Sequence, residues 1–250
     1  MEAHHNTDKQ VNWRRIGFTS WISLGLLFVG ICISPVGMGI IRALTLAAWA
    51  GWWLGIPILF WQRKKSVVLP WSIITGLCLL LLSFPAREWT SEVKTSFQKY
   101  YLEDLQSYLG TTYVWGGENS LGIDCSGLVR KAFITAKVKL AFSNARFTQL
   151  RSAFFLWWYD ASAKALMQSY RGWTRVLFKA KSINSLKHTR LQPGDLAVTS
   201  DGVHIMAYLG KHRWIEADPD LKKVVIVKTP DRNNMWFERA VIIIRWQELK

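Results

Sequence analysis

The sequence predicts a chain of two parts: an all-α membrane region followed by a domain that combines helices and strands. Three observations lead to this prediction. Residues 16–84 contain three apolar runs with few charges, whereas the sequence from residue 87 onward has ordinary mixed polarity. Helical patterns then precede two strand-like runs, at 204–209 and 213–218. The expected boundaries are therefore a membrane anchor at 1–86 and a second domain at 87–250.

Each of the three apolar runs is long enough to cross a bilayer. They cover residues 16–34, 43–61 and 67–84, close to the roughly 20 residues that a transmembrane helix needs. No small-residue cleavage site is evident, which argues against a removable signal peptide. Arg42 borders the second run, and we interpret its side chain as snorkelling to the membrane interface. Four tryptophans lie near run ends, where indole rings favour the interface: Trp13, Trp21, Trp61 and Trp71.

Positively charged residues predict how these spans are oriented. Arg14 and Arg15 precede the first span, and Arg63–Lys65 connect the second and third spans. The positive-inside rule places both groups in the cytoplasm. We therefore expect a multi-pass protein of the cytoplasmic membrane, with a cytoplasmic N-terminus and the second domain on the outer side.

The chain is strongly basic, with a formal net charge of +15. From Arg87 onward, 25 Lys and Arg stand against 15 Asp and Glu, so the excess is not confined to the membrane flanks. The charge is either a well-solvated surface or a means of attraction to a polyanion, such as anionic lipid or an acidic cell-wall polymer. Nucleic acid is a poor fit, because the basic residues are scattered and no nucleic-acid-binding motif accompanies them.

Cys125 is the most conspicuous candidate for chemistry. Cys32 and Cys78 lie within apolar runs, so Cys125 is the single thiol of the second domain and has no disulfide partner there. A helix is predicted from this residue to about Lys137, with Asp124 or Cys125 near its N-cap. The helix N-terminus favours the thiolate, and its free N–H groups could hold an oxyanion.

A thiol nucleophile requires a base, and His204 is the best placed of the five histidines. His4 and His5 lie in the N-terminal tail, and His188 and His212 lie in predicted turns. His204 opens the run at 204–209, although a histidine at the mouth of a strand is also compatible with a structural role.

Glu216 is the candidate to orient the imidazole, with Asp218 as a rival. A two-residue turn at Lys211–His212 would place Glu216 and His204 on opposite faces of the hairpin. A longer loop around Gly210, or a β-bulge, would place them on one face.

Four blocks of this sequence together resemble the NlpC family of papain-like cell-wall peptidases. They occur in the family's order and extend over roughly residues 100–218. The blocks are Tyr113–Gly117, Asp124–Val129, Leu191–Leu196 and His204–Gly210.

The resemblance implies an α+β domain in which the nucleophile helix packs on an antiparallel sheet. It implies that Cys125 is the nucleophile, His204 the base, Glu216 the group that orients it, and Tyr113 a residue that stabilises the oxyanion. Substrate contacts are implied at Trp115, Asp124 and Ser126. Family members mostly cleave peptidoglycan stem peptides, commonly between D-glutamate and a diamino acid, and neither a metal nor a cofactor is expected.

Two features depart from the family pattern. The family usually has His, Asn or Gln where this chain has Glu216, and a carboxylate there would strengthen the imidazolium and shift the pH optimum upward. The stretch at 141–190 is also longer than expected. Its aromatic run at 154–159 is interpreted first as a fourth core helix, with a flap over the substrate groove or a contact with the outer membrane leaflet as alternatives.

The sequence-based hypothesis is thus a membrane-anchored endopeptidase whose partners are a peptidoglycan stem peptide and the lipid bilayer. Three other functions stay open at this stage. The same thiol could serve a membrane-associated acyltransferase, the domain could be a non-enzymatic scaffold that binds wall peptide, or the protein could be an antibacterial effector that degrades cell walls. The sequence does not indicate which protein partners, if any, the chain has.

Overall fold

In the computed structural model the chain forms two compact units. The first comprises residues 1–33 and 43–78, and the second comprises Ser34–Arg42 together with Leu79–Lys250. The second unit therefore includes a short stretch that lies within the predicted anchor. The structure describes residues 13–83, 85 and 88–249. Several predicted features lie outside the described residues: the tail with His4 and His5, the end of the third span at Phe84, and the domain boundary at Arg87.

The region predicted to be the membrane anchor is helical, as the sequence predicts. Helices α1 (Trp13–Ile33), α2 (Gly39–Leu59) and α3 (Leu69–Ser83) follow one another. Helix α2 begins four residues before the predicted start of the second span. Three stretches are long and apolar enough to cross a membrane: Arg15–Ile33, Gly39–Leu59 and Trp61–Leu81.

The second unit is a helix-and-sheet domain. Its helices are α4 (Ser91–Ser107), α5 (Cys125–Ser143), α6 (Thr148–Trp158) and α7 (Ala163–Met167). Its strands are β1 (Glu118–Asn119), β2 (Gly122–Ile123), β3 (Thr174–Ala180), β4 (Leu196–Thr199), β5 (Ile205–Gly210), β6 (Arg213–Asp218), β7 (Lys223–Lys228) and β8 (Val241–Trp246). Strands β1 and β2 form a separate two-stranded ribbon.

A six-stranded antiparallel sheet organises this domain, with the strand order β3-β8-β4-β5-β6-β7. Helix α5 packs on β5 and β6, and α4 packs on α5. Phe97 and Phe133 belong to the core on this side of the sheet. A second core contains Trp214, Trp236 and Phe237. The predicted α+β fold, with the nucleophile helix on an antiparallel sheet, is confirmed.

Helix α4 begins at a capping residue and buries one of its faces. Thr90 caps its N-terminus by accepting a hydrogen bond from the backbone N–H of Val93. The apolar positions spaced three or four residues apart, including Phe97 and Tyr101, are buried, because that spacing places them on one face of a helix.

The extended stretch at 141–190 forms α6, α7 and β3. Ala153 and Leu156 of α6 are buried, and α6 packs on α5. Phe154 and Phe155 remain 42% and 43% exposed. Only one face of the helix that carries the aromatic run therefore packs against the core.

The structure contradicts the interpretation of Arg42 as a residue whose side chain reaches to the membrane interface. Its side chain does not snorkel: it is buried, and it forms ion pairs with Glu118 and Asp160 of the second unit. A guanidinium can be buried in this way because two carboxylates compensate its charge.

Candidate active site

Cys125 is the first residue of α5, and Asp124 caps that helix. The Oδ1 atom of Asp124 accepts a hydrogen bond from the backbone N–H of Gly127 at 2.5 Å. Its Oδ2 atom accepts one from the backbone N–H of Gly116 at 2.9 Å, which ties the preceding loop to the helix start. The thiol therefore sits at the positive end of the helix dipole, beside backbone N–H groups that the helix leaves unpaired.

His204 immediately precedes β5, and it makes two polar contacts through its ring. Its Nε2 atom lies 2.7 Å from Oε2 of Glu216, and both side chains are almost completely buried. Cys125 is the other neighbour that interacts electrostatically with the ring and raises its pKa.

The hairpin register explains how His204 and Glu216 meet. Ala207 pairs with Ile215, but Gly210 pairs with Arg213, so β5 contains one extra residue, a β-bulge. The turn itself has two residues, Lys211 and His212, both with positive φ. The bulge offsets the two-residue turn and places His204 and Glu216 on the same face of the hairpin.

Asn234 is a member of this site that sequence reasoning missed. Its Nδ2 atom donates a hydrogen bond to Oε1 of Glu216 at 2.5 Å, while its Oδ1 atom accepts one from the backbone N–H of Trp236. The Trp236 ring stacks on the imidazole of His204, with ring centroids 4.2 Å apart. No spacing rule links a residue between β7 and β8 to a catalytic histidine, so no signal in the sequence could have found it.

The electrostatic setting of His204 favours the imidazolium. Burial alone would lower the pKa of His204, but hydrogen bonds with Cys125 and Glu216 and the negative charges of both raise it to about 9. Near neutral pH the ring of His204 is therefore protonated.

Tyr113 lies next to the thiol in the loop before α5. Burial raises the pKa of its hydroxyl far above the usual range, and the nearby charges of Cys125 and Asp124 raise it further. The hydroxyl consequently stays protonated and is able to donate a hydrogen bond.

Trp115, Asp124 and Ser126 line a cleft of about 460 Å³ that also contains Cys125. Trp115 is 77% exposed at the rim. The hydroxyl of Ser126 donates to Oδ1 of Asp124 at 3.0 Å.

The cleft has further walls that the sequence did not indicate. One wall comes from the beginning of α7 and the residues before it, including Asp160 and Lys164, and another comes from the turn at Asp201–Val203. The long stretch at 141–190 thus contributes to the cleft through its later residues.

The rival candidates occupy other places. Asp218 accepts hydrogen bonds from the backbone N–H groups of Asp220 and Leu221 and so stabilises the turn after β6. His188 contacts Trp214 and lies against His212, with ring centroids 4.3 Å apart. Within the described ranges, no group of three or more His, Cys, Asp or Glu side chains is arranged to hold a metal ion.

The chain matches the model of the NlpC/P60 family over residues 110–245. Among curated proteins, a dipeptidyl-peptidase 6 from Lysinibacillus sphaericus is 39% identical over 54 residues, which are 22% of this chain and 20% of that protein. Among solved structures, NlpC2 from Trichomonas vaginalis has a TM-score of 0.39 and 16% identity, covering 60% of this chain and 47% of that one. The peptidoglycan hydrolase RipB from Mycobacterium tuberculosis has a TM-score of 0.39 and 18% identity, covering 73% and 87%.

The chain spans 20% of the length of the curated relative that it matches and about half, 47%, of NlpC2. The family match, in contrast, covers more than half of the chain and includes the Cys125 helix, the His204 strand and the Glu216 strand. The chain belongs to the NlpC/P60 family.

Proposed function

We propose that this protein is a membrane-anchored cysteine endopeptidase that hydrolyses peptide bonds in peptidoglycan stem peptides. The observation that carries the proposal is that His204, hydrogen-bonded to Glu216, interacts with Cys125, whose thiol lies in the cleft at the start of α5. The bond between D-glutamate and a diamino acid is the proposed target, because it is the usual target implied by the family resemblance. This bond lies in an extended peptide, which suits an open cleft.

The mechanism follows from the order of these groups. The Cys125 thiolate attacks the peptide carbonyl carbon and forms a C–S bond, while the backbone N–H of Cys125 and the Tyr113 hydroxyl hold the oxyanion. The imidazolium of His204 then gives a proton to the leaving amine as the C–N bond breaks. The neutral imidazole next takes a proton from water, which hydrolyses the thioester to a carboxylic acid and returns the thiol. Glu216 fixes the ring orientation throughout.

The proposed location is a bacterial cytoplasmic membrane, with the N-terminus inside and the catalytic domain on the outer side. The three apolar helices and the basic residues before the first span and between the last two support this arrangement. A peptidoglycan substrate lies in the same compartment as the domain under this proposal.

Replacing the nucleophile tests the proposal. The full-length protein in detergent is incubated with purified peptidoglycan, and released peptides are identified by mass spectrometry. We expect Cys125→Ala to lower the cleavage rate by about 1,000-fold or more, because covalent catalysis is lost. Cys32→Ala and Cys78→Ala are matched controls, since these thiols lie in α1 and α3, and both should cleave as the wild type does.

Release of the same peptides by Cys125→Ala at the wild-type rate would refute the assignment. A parallel incubation with phospholipid vesicles distinguishes the proposed peptidase from the alternative acyltransferase. Acyl transfer to lipid that depends on Cys125, with no cleavage of peptidoglycan, would replace the peptidase by a transferase.

A further inference from the structure

A short segment that follows the first membrane helix is built into the catalytic unit. This linking segment, Ser34–Arg42, belongs to the same compact unit as the domain after Leu79. Its backbone pairs with the loop before the nucleophile helix: the N–H of Gly37 donates to the carbonyl of Gly116, and the N–H of Glu118 donates to the carbonyl of Pro35, both at 2.8 Å. Two antiparallel backbone bonds hold these stretches edge to edge, as in a sheet.

The loop that receives this pairing supports the start of α5. The carbonyl of Gly117 accepts a hydrogen bond from the backbone N–H of Asp124 at 3.1 Å, and the N–H of Gly116 donates to the Asp124 carboxylate. The loop therefore lies between the linking segment and the residue that caps the nucleophile helix. A displacement of the loop would therefore move Asp124, and through it the adjacent Cys125.

The linking segment also borders the space that a substrate would occupy. Gly37 and Met38 line the cleft together with Trp115, Gly116 and Cys125. One wall of the cleft thus comes from residues that lie almost 80 positions before Trp115 and Gly116 in the sequence.

Arg42 fastens the end of the linking segment. Its Nη2 atom lies 2.5 Å from Oε1 of Glu118 and 3.4 Å from Oδ1 of Asp160. Arg130 of α5 binds the same two oxygens at 2.6 and 2.7 Å. Two cations and two carboxylates balance one another, and both guanidinium side chains are only 2% exposed.

The closeness of the packing is visible at Gly37. A Cβ atom at this position would lie 2.5 Å from Oε2 of Glu118, so only glycine leaves room for the carboxylate to reach Arg42. The Nε and Nη1 atoms of Arg42 have no partner among the described residues. Buried donors without partners cost stability, so a role limited to stabilising the fold explains Arg42 poorly.

We propose that the linking segment is part of the substrate-binding cleft and that Arg42 is a positioning residue. Arg42 acts through Glu118 to hold the loop at Trp115–Glu118 against the start of α5, and Gly37 and Met38 contact the bound peptide. This inference rests on the proposed function, since it assigns a substrate wall to the same site.

The test compares full-length wild type, Arg42→Gln and Arg42→Lys in one detergent. Arg213→Gln is the matched control, because Arg213 is exposed at the start of β6. We expect Arg42→Gln to lower kcat/KM for peptide cleavage at least tenfold, mainly through a higher KM, and Arg42→Lys to recover part of the loss. Hydrogen exchange followed by mass spectrometry should show faster exchange of the Glu118 amide in Arg42→Gln alone.

Met38→Ala provides a second variant that leaves the ion cluster intact. We expect it to raise KM with kcat unchanged, and a wild-type KM would contradict the assignment of a substrate wall. Wild-type kcat/KM in Arg42→Gln would overturn the positioning role, even if exchange were faster, because the segment would then be a structural attachment only. Absence of cleavage by the wild type would instead contradict the proposed function, and the exchange of the Glu118 amide would still decide whether Arg42 holds the loop.

Discussion

Glu216 receives hydrogen bonds on both of its carboxylate oxygens, one from His204 and one from Asn234. The orientation of the Asn234 amide is set by the backbone N–H of Trp236, which occupies its oxygen and leaves its NH2 group facing Glu216. A side-chain amide at position 216 has a single acceptor oxygen and could not satisfy both donors. The carboxylate at this position is therefore explained by the neighbour that the structure places behind it.

The pH dependence of cleavage should reflect the raised pKa of His204. We expect kcat/KM to fall as pH rises through about 9, because the proton that the imidazolium gives to the leaving amine is then lost. The contribution of this group to folding stability has the same sign: it is fully present below pH 6.5, the unperturbed pKa, and is lost as pH rises through about 9. Initial rates of peptide cleavage across this range provide the measurement.

Glu216→Gln should move the alkaline limb of that profile to lower pH, since the imidazolium loses a negative partner. The same change should reduce kcat by roughly 100-fold, at the lower end of the range that general acid–base catalysis contributes. Glu103→Gln is the control, because Glu103 is half-exposed and pairs with Lys99 on the surface of α4. An alkaline limb that stays in place in Glu216→Gln would rule out the carboxylate as the cause of the raised pKa.

At the scale of residues, the sequence predicted those functional residues that can be recognised from their immediate neighbours in the chain. Cys125 could be predicted because it is a single thiol at a helix start, and His204 because it is a histidine at the head of a strand. Asn234 and Trp236 could not be predicted, because their roles arise from contacts between distant parts of the chain. The ion pairs of Arg42 were missed for the same reason.

Among the elements, the junction between α5 and the preceding loop is the most tightly packed part of the site. Gly127 lies in the first turn of α5, and a Cβ atom there would clash with the carbonyl oxygen of Gly117. That carbonyl already accepts the backbone N–H of Asp124, so it cannot withdraw without breaking the support of the helix start. Glycine is needed here for close approach rather than for an unusual backbone conformation.

We expect Gly127→Ala to destabilise the protein by about 1–3 kcal/mol, the usual cost of overpacking. Cleavage should fall at least tenfold, because the displaced helix carries Cys125. The measurements are the free energy of unfolding in urea and kcat/KM. Gly76→Ala is a matched glycine-to-alanine control in α3, where an added Cβ atom meets nothing within 4 Å. Equal stability and activity in both variants would show that the junction tolerates displacement.

The hairpin of β5 and β6 shows what element-level prediction can achieve. Strand positions followed from alternation, and β6 spans the predicted residues 213–218. The bulge in β5 did not follow from the sequence, because it depends on how the extra residue fits the neighbouring strand. Periodicity therefore determined which residues form the strands, whereas the register required the tertiary structure.

At the scale of the whole molecule, the sequence predicted a helical membrane region and an α+β domain but divided the chain at a single boundary. The linking segment belongs to the domain although it consists of the connection after α1 and the first four residues of α2. Composition could not reveal this, because backbone hydrogen bonds carry no residue signature. The apolar surroundings of Arg42 instead favoured a membrane interpretation.

The proposed topology predicts which residues a membrane-impermeant thiol reagent can reach. In a background in which Cys32, Cys78 and Cys125 are all replaced by Ala, Ser66→Cys lies between α2 and α3, next to the basic residues Arg63–Lys65, and should be labelled only after the membrane is permeabilised. Lys187→Cys in the catalytic domain should be labelled in intact spheroplasts. Labelling of Ser66→Cys without permeabilisation would contradict the orientation.

The hydrogen bonds between the linking segment and the loop at Gly116–Glu118 also impose a parity rule. Groups that bond directly to each other lie in one compartment, so the chain between Arg42 and Ser91 must cross the bilayer an even number of times. The second and third apolar helices therefore cross as a pair or not at all. Under the proposed topology, in which both helices cross, deleting either one alone would leave Arg42 and Glu118 on opposite sides of the membrane.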